Sequence, residues 1–227
     1  MGGPWSGVRE RVLALREAPH WKTVFGAHCP GHGHDFELLP TLDEQELRAV
    51  ERGLGTHLPK EYRTFLGEVG AGGAGPDYGL FPLRPPAPGA PPATGHAALP
   101  FRPERTAELD RLERAEPRRA DHPDEAALAA AYAAWTARCD ELDDTLTQGT
   151  LCVSSQGCGY YSLLVVTGPL RGTMWDDVRA VGEGVLPIRR KDDDRPLPFT
   201  DWYLHWLTTA ERDAWNPPPR PRLTTDP

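Results

Sequence analysis

The first 55 residues contain two stretches in which apolar positions recur every three or four residues. Because this spacing places the apolar side chains on one helical face, it predicts amphipathic helices over residues 6–17 and 40–55. Ser6 suits the N-cap of the first helix. Thr41 and Glu44 have the spacing of a capping box at the start of the second helix.

Residues 58–70 predict a third helix with one strongly apolar face. Pro59 fits its first position, where a missing N–H costs nothing, and Gly70 would end it. A strand is predicted over residues 78–83, after a glycine-rich turn. The apolar face has i, i+3, i+4, i+7 spacing and consists of Tyr62, Phe65, Leu66 and Val69.

The middle of the chain combines a proline-rich stretch with a long helical pattern. The prolines of residues 84–106 predict an exposed loop. Residues 120–146 predict a helix with Asp121 as its cap and a narrow packing seam. The seam positions, at alternating four- and three-residue intervals, are Leu128, Tyr132, Trp135, Cys139, Leu142 and Leu146.

The last third of the chain is rich in strand-forming segments separated by glycine-containing turns, which predicts an antiparallel meander. Residues 191–198 predict a loop. Residues 199–215 predict a closing helix with Thr200 as its cap and Trp202 and Trp206 as core candidates. The strand segments are residues 150–155, 160–166, 172–177 and a glycine-interrupted fourth, 178–188.

This order of elements predicts an α+β fold in which helices pack on one mixed or mainly antiparallel sheet. The main domain would span residues 36–212, and no internal repeat is visible. The predicted segments are an N-terminal helix with a His/Gly-rich loop (1–35), a proline-rich loop (85–123), an inserted helix (124–146) and a disordered tail (213–227).

The charge of the chain indicates which kinds of macromolecule it could bind. Its formal net charge is −8, and no stripe of lysine and arginine interleaved with aromatic residues is visible. Nucleic acid is therefore not expected as a partner, whereas a basic protein is compatible with this charge. No apolar run approaches membrane-spanning length, and the four cysteines lack disulfide-framework spacing. We therefore expect a cytoplasmic protein with reduced thiols and no membrane partner.

Gly70, Gly72 and Gly75 match the G-x-G-x-x-G spacing of a dinucleotide-binding turn. That function requires a strand before the glycines and a helix that starts on them, because the helix N terminus holds the pyrophosphate. Here a predicted helix comes before the glycines and a predicted strand after them. The pattern therefore favours a helix stop and a tight turn, with positive φ at Gly72, Gly73 or Gly75.

The segment HCPGHGHD contains His28, Cys29, His32 and His34, which are ligand types for zinc. A structural zinc site usually draws a second ligand pair from a distant part of the chain, and no pair with matching spacing is present. A polar, glycine-rich loop is the preferred interpretation, and a metal-binding function is the third hypothesis for this protein.

No coherent catalytic set is visible in the sequence. Cys158, His205 and Asp201 offer nucleophile, base and acid, but nothing in the sequence places them together. Adjacent acidic residues point in different directions on a helix or strand and are expected on a solvated surface. We therefore expect no catalytic residues, no cofactor and no enzymatic activity.

Three blocks of the chain resemble the SUKH superfamily, the group of Smi/Knr-type cell-wall regulators and bacterial immunity proteins. They are residues 51–83, 150–177 and 199–207, separated by the proline-rich loop and inserted helix. The matching positions are Glu51, Leu58, Pro59, Tyr62, Phe65, Leu66, Gly72, Gly73, Gly75, Pro76, Gly157, Cys158, Trp175, Trp202 and Trp206.

The resemblance implies a SUKH-like α+β domain and a function in protein binding, without catalytic residues. Bacterial members are often immunity proteins that neutralise a cognate toxin of a polymorphic toxin system, encoded nearby. The matching positions are core and turn residues, so the resemblance assigns no binding residue. A regulatory scaffold or adaptor without a toxin partner is the second hypothesis, and the oligomeric state stays open.

Overall fold

The computed structural model describes residues 2–87 and 95–216, and these ranges contain six α-helices and six β-strands. The predicted α+β class is confirmed. The helices are α1 (Val8–Ala14), α2 (Glu44–Leu54), α3 (Lys60–Glu68), α4 (Glu104–Glu113), α5 (Glu125–Asp143) and α6 (Phe199–Trp215). The strands are β1 (Thr150–Gly157), β2 (Tyr160–Val165), β3 (Met174–Asp177), β4 (Val185–Pro187), β5 (Arg189–Arg190) and β6 (Asp193–Pro196).

The first four strands form an antiparallel sheet in the order β1-β2-β3-β4, which confirms the predicted meander. The β1–β2 turn has Cys158 and Gly159 at φ 54° and 82°. Positive φ at both central residues is the requirement of a type I′ hairpin turn.

Strands β5 and β6 form a separate two-stranded sheet, so the loop predicted over residues 191–198 is wrong for β6. The charged side chains of this hairpin are largely exposed, and Arg195 pairs with Asp193. A strand that buries neither face shows no apolar alternation, which is why the sequence pattern missed it.

One face of the four-stranded sheet packs on α1, α2, α3 and α6. Leu164 and Met174, which are opposite each other in the β2–β3 register, point into this core. Aromatic rings fill its centre: the Phe65 ring centroid lies 4.7 Å from that of Tyr203 and 5.1 Å from that of Trp5. The N-terminal segment therefore shares the main core with the strands and with α6.

The other face of the sheet is covered by the segment between residues 101 and 146. Leu163 and Trp175, also opposite each other, belong to this second cluster. Its further buried members are Val165, Val185, Phe101, Leu109, Leu142 and Leu146. The sheet is thus apolar on both faces, with successive residues of β2 and β3 pointing to different cores.

The loop predicted over residues 84–106, and more widely over 85–123, is wrong where α4 forms. Pro103 precedes α4 as its N-cap, and Leu109 anchors the helix in the second core. A helix tolerates proline at its start, so the high proline content of this stretch does not exclude a helix. Residues 88–94 of this predicted loop lie outside the described residues.

The seam predicted on the long helix is only partly buried. Leu142 and Leu146, at its C-terminal end, contact the sheet cluster. Farther towards the N terminus, Trp135 Nε1 donates to the carbonyl oxygen of Leu112 at the end of α4, and Tyr132 is 36% exposed. The long helix therefore packs on α4 and reaches the sheet through its last turn.

The helix α2 starts with a capping box, although not with the one predicted. The Asp43 carboxylate accepts from the Glu46 N–H at 2.8 Å, and the Glu46 carboxylate accepts from the Asp43 N–H at 2.9 Å. The pattern of a cap residue followed by Glu three positions later occurs twice here. The first occurrence, Thr41 with Glu44, is not the one that the helix uses.

Three other predicted caps are displaced as well. Gly7 precedes α1 in place of Ser6, and Asp124, whose side chain accepts from the Ala127 N–H, caps α5 in place of Asp121. Thr200 lies inside α6. This helix continues to Trp215, and residues 217–227 of the predicted tail lie outside the described residues. Among the described helices, none has the length and apolar character needed to cross a membrane.

Candidate protein-binding surface

The glycine-rich turn after α3 has the predicted backbone conformation. Gly72 and Gly73 have φ of 130° and 98°. A Cβ atom on Gly73 would lie 2.3 Å from the carbonyl oxygen of Glu37, so no larger residue fits there without a shift of the backbone. No helix begins at Gly75, and the dinucleotide-binding interpretation is therefore excluded.

The turn leads to the edge of the sheet, beside β1. The strand predicted over residues 78–83 is reduced to isolated bridges that join Leu80 to Gly73 and to Ser154. The Ser154 hydroxyl lies 3.0 Å from the carbonyl oxygen of Pro76 and 2.9 Å from that of Gly79. These contacts hold the turn against β1 and place Tyr78 and Phe81 near the β1–β2 hairpin.

Four aromatic side chains gather at this end of the molecule, and we call Phe25, Tyr78, Phe81 and Tyr161 the aromatic surface. The ring centroids of Phe25 and Tyr78 are 5.4 Å apart, and those of Phe81 and Tyr161 are 6.5 Å apart. Phe25 is 63% exposed, Phe81 40% and Tyr161 37%. Three different parts of the chain thus contribute exposed rings to one region.

A groove of about 550 Å³ is lined by three of these four rings. Tyr78, Phe81 and Tyr161 line it together with the polar residues Cys29 and His32. A cavity of this size with three aromatic rings and a few polar groups in its walls has the character of a binding site for an inserted side chain or small ligand.

The His/Cys cluster of residues 28–34 is divided between the surface and the core. Cys29 and His32 face the groove, whereas His28 Nδ1 lies 3.0 Å from a carboxylate oxygen of Asp35. His34 is buried against the rings of Phe36 and Trp206. In the part of the chain that the structure describes, no three His, Cys, Asp or Glu side chains are arranged to hold a metal ion.

The burial of His34 affects its protonation. Its Nδ1 accepts from the Phe36 N–H at 3.1 Å, and its Nε2 has no hydrogen-bond partner among the described residues. Desolvation lowers the pKa of His34 to about 4, against a smaller opposing effect of the Asp35 charge. The imidazole is therefore neutral at physiological pH and acts as a core residue.

Asp77 lines a neighbouring cavity together with Phe25, and the charge of Asp176 acts on its carboxyl. Burial, together with a smaller effect of the negative charge of Asp176, raises the pKa of Asp77 to about 6. Burial also raises the pKa of Asp176, although a hydrogen bond donated by Gln156 acts in the opposite direction. Acidic groups of this kind beside exposed aromatic rings favour a partner with positive charge.

The side chains of Cys158, His205 and Asp201 lie in different environments. Cys158 occupies the exposed β1–β2 turn, and the Asp201 carboxylate accepts from Arg190 at 3.1 Å. His205 lies on the exposed side of α6 and lines a different cavity, with Asp77 and Trp206. The side chain of Cys152, on β1, is exposed as well.

The positions that carry the SUKH resemblance lie in the interior and in turns. Gly72, Gly73 and Gly75 form the turn after α3, Gly157 and Cys158 lie at the β1–β2 hairpin, and Trp206 is half-buried. The buried positions are Glu51, Leu58, Pro59, Tyr62, Phe65, Leu66, Pro76, Trp175 and Trp202. None of these positions belongs to the aromatic surface.

No family model, curated protein or solved structure matches this chain. The resemblance to the SUKH superfamily therefore rests on the residues named above.

Proposed function

We propose that this protein is a non-enzymatic binding module that docks a protein partner through its aromatic surface. The observation that carries the proposal is that exposed Phe81 and Tyr161 line a groove of about 550 Å³, and that exposed Phe25 packs on Tyr78, which lines the same groove. Aromatic side chains are enriched at the centres of protein interfaces, where a few of them supply most of the binding energy.

The charge of the chain supports a basic partner. With a net charge of −8 and the carboxylate of Asp77 in a cavity that Phe25 also lines, the surface suits a basic protein domain. Complementary charge would accelerate the encounter and exclude acidic partners, while the aromatic contacts would supply the affinity.

The SUKH resemblance extends this proposal to a biological role. A SUKH-like protein of a bacterial toxin system acts as an immunity protein, so the partner would be a toxin domain encoded nearby. Neutralisation would follow from steric cover of the toxin's active site in the cytoplasm. The regulatory adaptor is the alternative, in which the same surface docks a protein that is not a toxin.

Co-expression with the toxin domain encoded beside this gene tests the role. We expect the wild-type chain to restore growth and to bind the purified domain. The Phe25→Ser/Phe81→Ser double variant should bind at least about tenfold more weakly, because two aromatic anchors are lost. The Leu13→Ser/Leu99→Ser double variant is the matched control, since these leucines are 40% and 41% exposed and lie outside the aromatic surface.

Equal weakening by both double variants would contradict the assignment of the aromatic surface. Failure of the wild-type chain to bind or neutralise any neighbouring toxin would remove the immunity role. In that case a defined partner that binds the wild type and not the Phe25→Ser/Phe81→Ser variant would support the adaptor.

A further inference from the structure

A surface pocket of about 750 Å³ lies where α2 meets α3. Residues at positions i, i+4 and i+8 of α2 share one helical face, and Glu44, Arg48 and Arg52 line the pocket from there. Lys60 and Arg63 line it from α3. The pocket has no lining residue in common with the groove of the aromatic surface.

Part of the positive charge in this pocket is already neutralised. The Glu44 carboxylate accepts from Arg48 at 2.8 Å and from Arg63 at 2.9 Å, and these two hydrogen bonds lower its pKa. Glu51 is buried, and its carboxylate accepts from the Leu58 N–H at 2.9 Å. The second carboxylate is therefore engaged by the connection between the two helices.

The remaining positive charge is exposed and unpaired. Arg52 and Lys60 are exposed and form no ion pair with any described residue. The four basic side chains of the pocket face two carboxylates, which leaves two positive charges in excess, although the whole chain carries a net charge of −8. An acidic protein that concentrates unpaired cations in one concave place creates a local field for anions.

The backbone around the pocket is held in place by a further arginine. Arg171 Nη2 donates to the carbonyl oxygens of His57 and Leu58, at 2.8 and 2.7 Å, and so fixes the connection between α2 and α3. The helix α3 starts at Lys60 without a side-chain cap, and its macrodipole adds positive potential at that end. The cationic side chains are thus arranged on an ordered frame.

We propose that this pocket binds a small ligand that carries two phosphate groups. Guanidinium groups pair with phosphate oxygens through two parallel hydrogen bonds, and the lysine adds a compact charge. The volume lies within the range of small-molecule sites, and a diphosphate would match the excess of two positive charges. Ligand binding here involves residues separate from the aromatic surface and does not depend on the partner that docks there.

Calorimetric titration with inorganic pyrophosphate at about 150 mM NaCl tests the proposal, because that salt screens weak surface attraction. We expect saturable binding of one pyrophosphate per chain. The Arg52→Ser/Lys60→Ser variant should bind at least about tenfold more weakly. The control is Arg189→Ser/Lys191→Ser, which removes the same two charges from exposed positions at the β5–β6 hairpin and should change the affinity less than about twofold.

Three results would overturn the proposal: no saturable binding to the wild type, an equal loss in both double variants, or an unchanged affinity in Arg52→Ser/Lys60→Ser. Citrate serves as the carboxylate probe, and binding of citrate as tight as that of pyrophosphate would refute the phosphate assignment. Circular dichroism of each variant verifies that it is folded. Arg52 and Lys60 are exposed, so we expect their replacement to leave the fold intact.

Discussion

Asp77 combines an unusual backbone conformation with an unfavourable charge. Its φ is 57°, in the left-handed region that Asn and Asp tolerate better than most residues. Burial raises the pKa of its carboxyl to about 6, and the neighbouring Asp176 contributes in the same direction. The folded protein therefore holds the Asp77 proton more tightly than the unfolded chain does.

As a consequence, the contribution of Asp77 to the free energy of unfolding depends on pH. Below the unfolded pKa of about 3.9 the carboxyl is protonated in both states, and its effect on stability vanishes. As the pH rises towards about 6, the unfolded chain loses the proton first, so the free energy of unfolding falls. Above that pH the carboxyl is ionised in both states, and its destabilisation of the folded state is fully present.

We therefore expect Asp77→Asn to raise the free energy of unfolding at pH 7 by about 1 kcal/mol, a figure reduced to allow for partial solvent screening. At pH 3.5 the variant and the wild type should differ little. Urea denaturation at the two pH values measures the effect, with exposed Asp194→Asn as the control. An equal gain at both pH values would show that charge is not the cause.

At the scale of elements, the start of α2 shows how a helix selects its own cap. Thr41 and Asp43 are both exposed and both precede a glutamate by three residues. Only Asp43 forms the reciprocal hydrogen bonds with Glu46 that close the box. The chain enters this helix along a path set by the Leu42 N–H, which donates to the carbonyl oxygen of Leu66 in α3.

The structure predicts unequal effects of removing the two cap candidates. Asp43→Ala should lower the free energy of unfolding by about 1 kcal/mol, the usual value of an N-cap side chain. Thr41→Ala should change it by less than about 0.5 kcal/mol, because its hydroxyl is not part of the box. Thermal unfolding followed by circular dichroism measures both variants. A larger loss for Thr41→Ala would place the helix start at the position predicted from the sequence.

For the molecule as a whole, the N-terminal segment is part of the main core. Trp5 is buried among Phe65, Phe199 and Tyr203, with ring centroids 5.1, 5.8 and 5.9 Å away. Its indole N–H donates to the carbonyl oxygen of Glu61 at 2.9 Å. Since α6 supplies two of these rings, the N-terminal segment and α6 stabilise each other.

We expect Trp5→Ala to lower the free energy of unfolding by about 3–5 kcal/mol, the usual range for removing a large buried aromatic side chain. The matched control is Trp215→Ala, at a residue that is 46% exposed, and it should cost less than about 1 kcal/mol. Urea denaturation followed by circular dichroism gives both values. Equal small losses would mean that the N-terminal segment contributes little to the core.

Local sequence patterns were sufficient for much of the fold. Tyr62, Phe65 and Leu66 are buried as their helical spacing predicts, because a helix fixes which side chains share a face. The meander follows from strand-forming segments separated by glycines, and the positive φ at Gly72 and Gly73 follows from a helix that must stop and turn. Each of these features depends on residues close together in the chain.

The aromatic surface depends on residues that are far apart in the chain. Phe25, Phe81 and Tyr161 belong to three separate segments, and no spacing within one segment relates them. The one local indication was at Phe81, whose position beside buried Leu80 in an extended segment implies an outward side chain. The contacts of Ser154 with the glycine-rich turn hold Phe81 near Tyr161, and the packing of Phe25 on Tyr78 adds the third segment.

The sequence by itself determined the α+β class, the buried helix faces and the turns, since periodicity and glycine chemistry act over a few residues. Only the tertiary structure decided which cap each helix uses, that α4 forms and covers a second sheet face, and which side chains surround the two pockets. The physical reason is that these features arise from contacts between distant segments, whose geometry no local pattern contains.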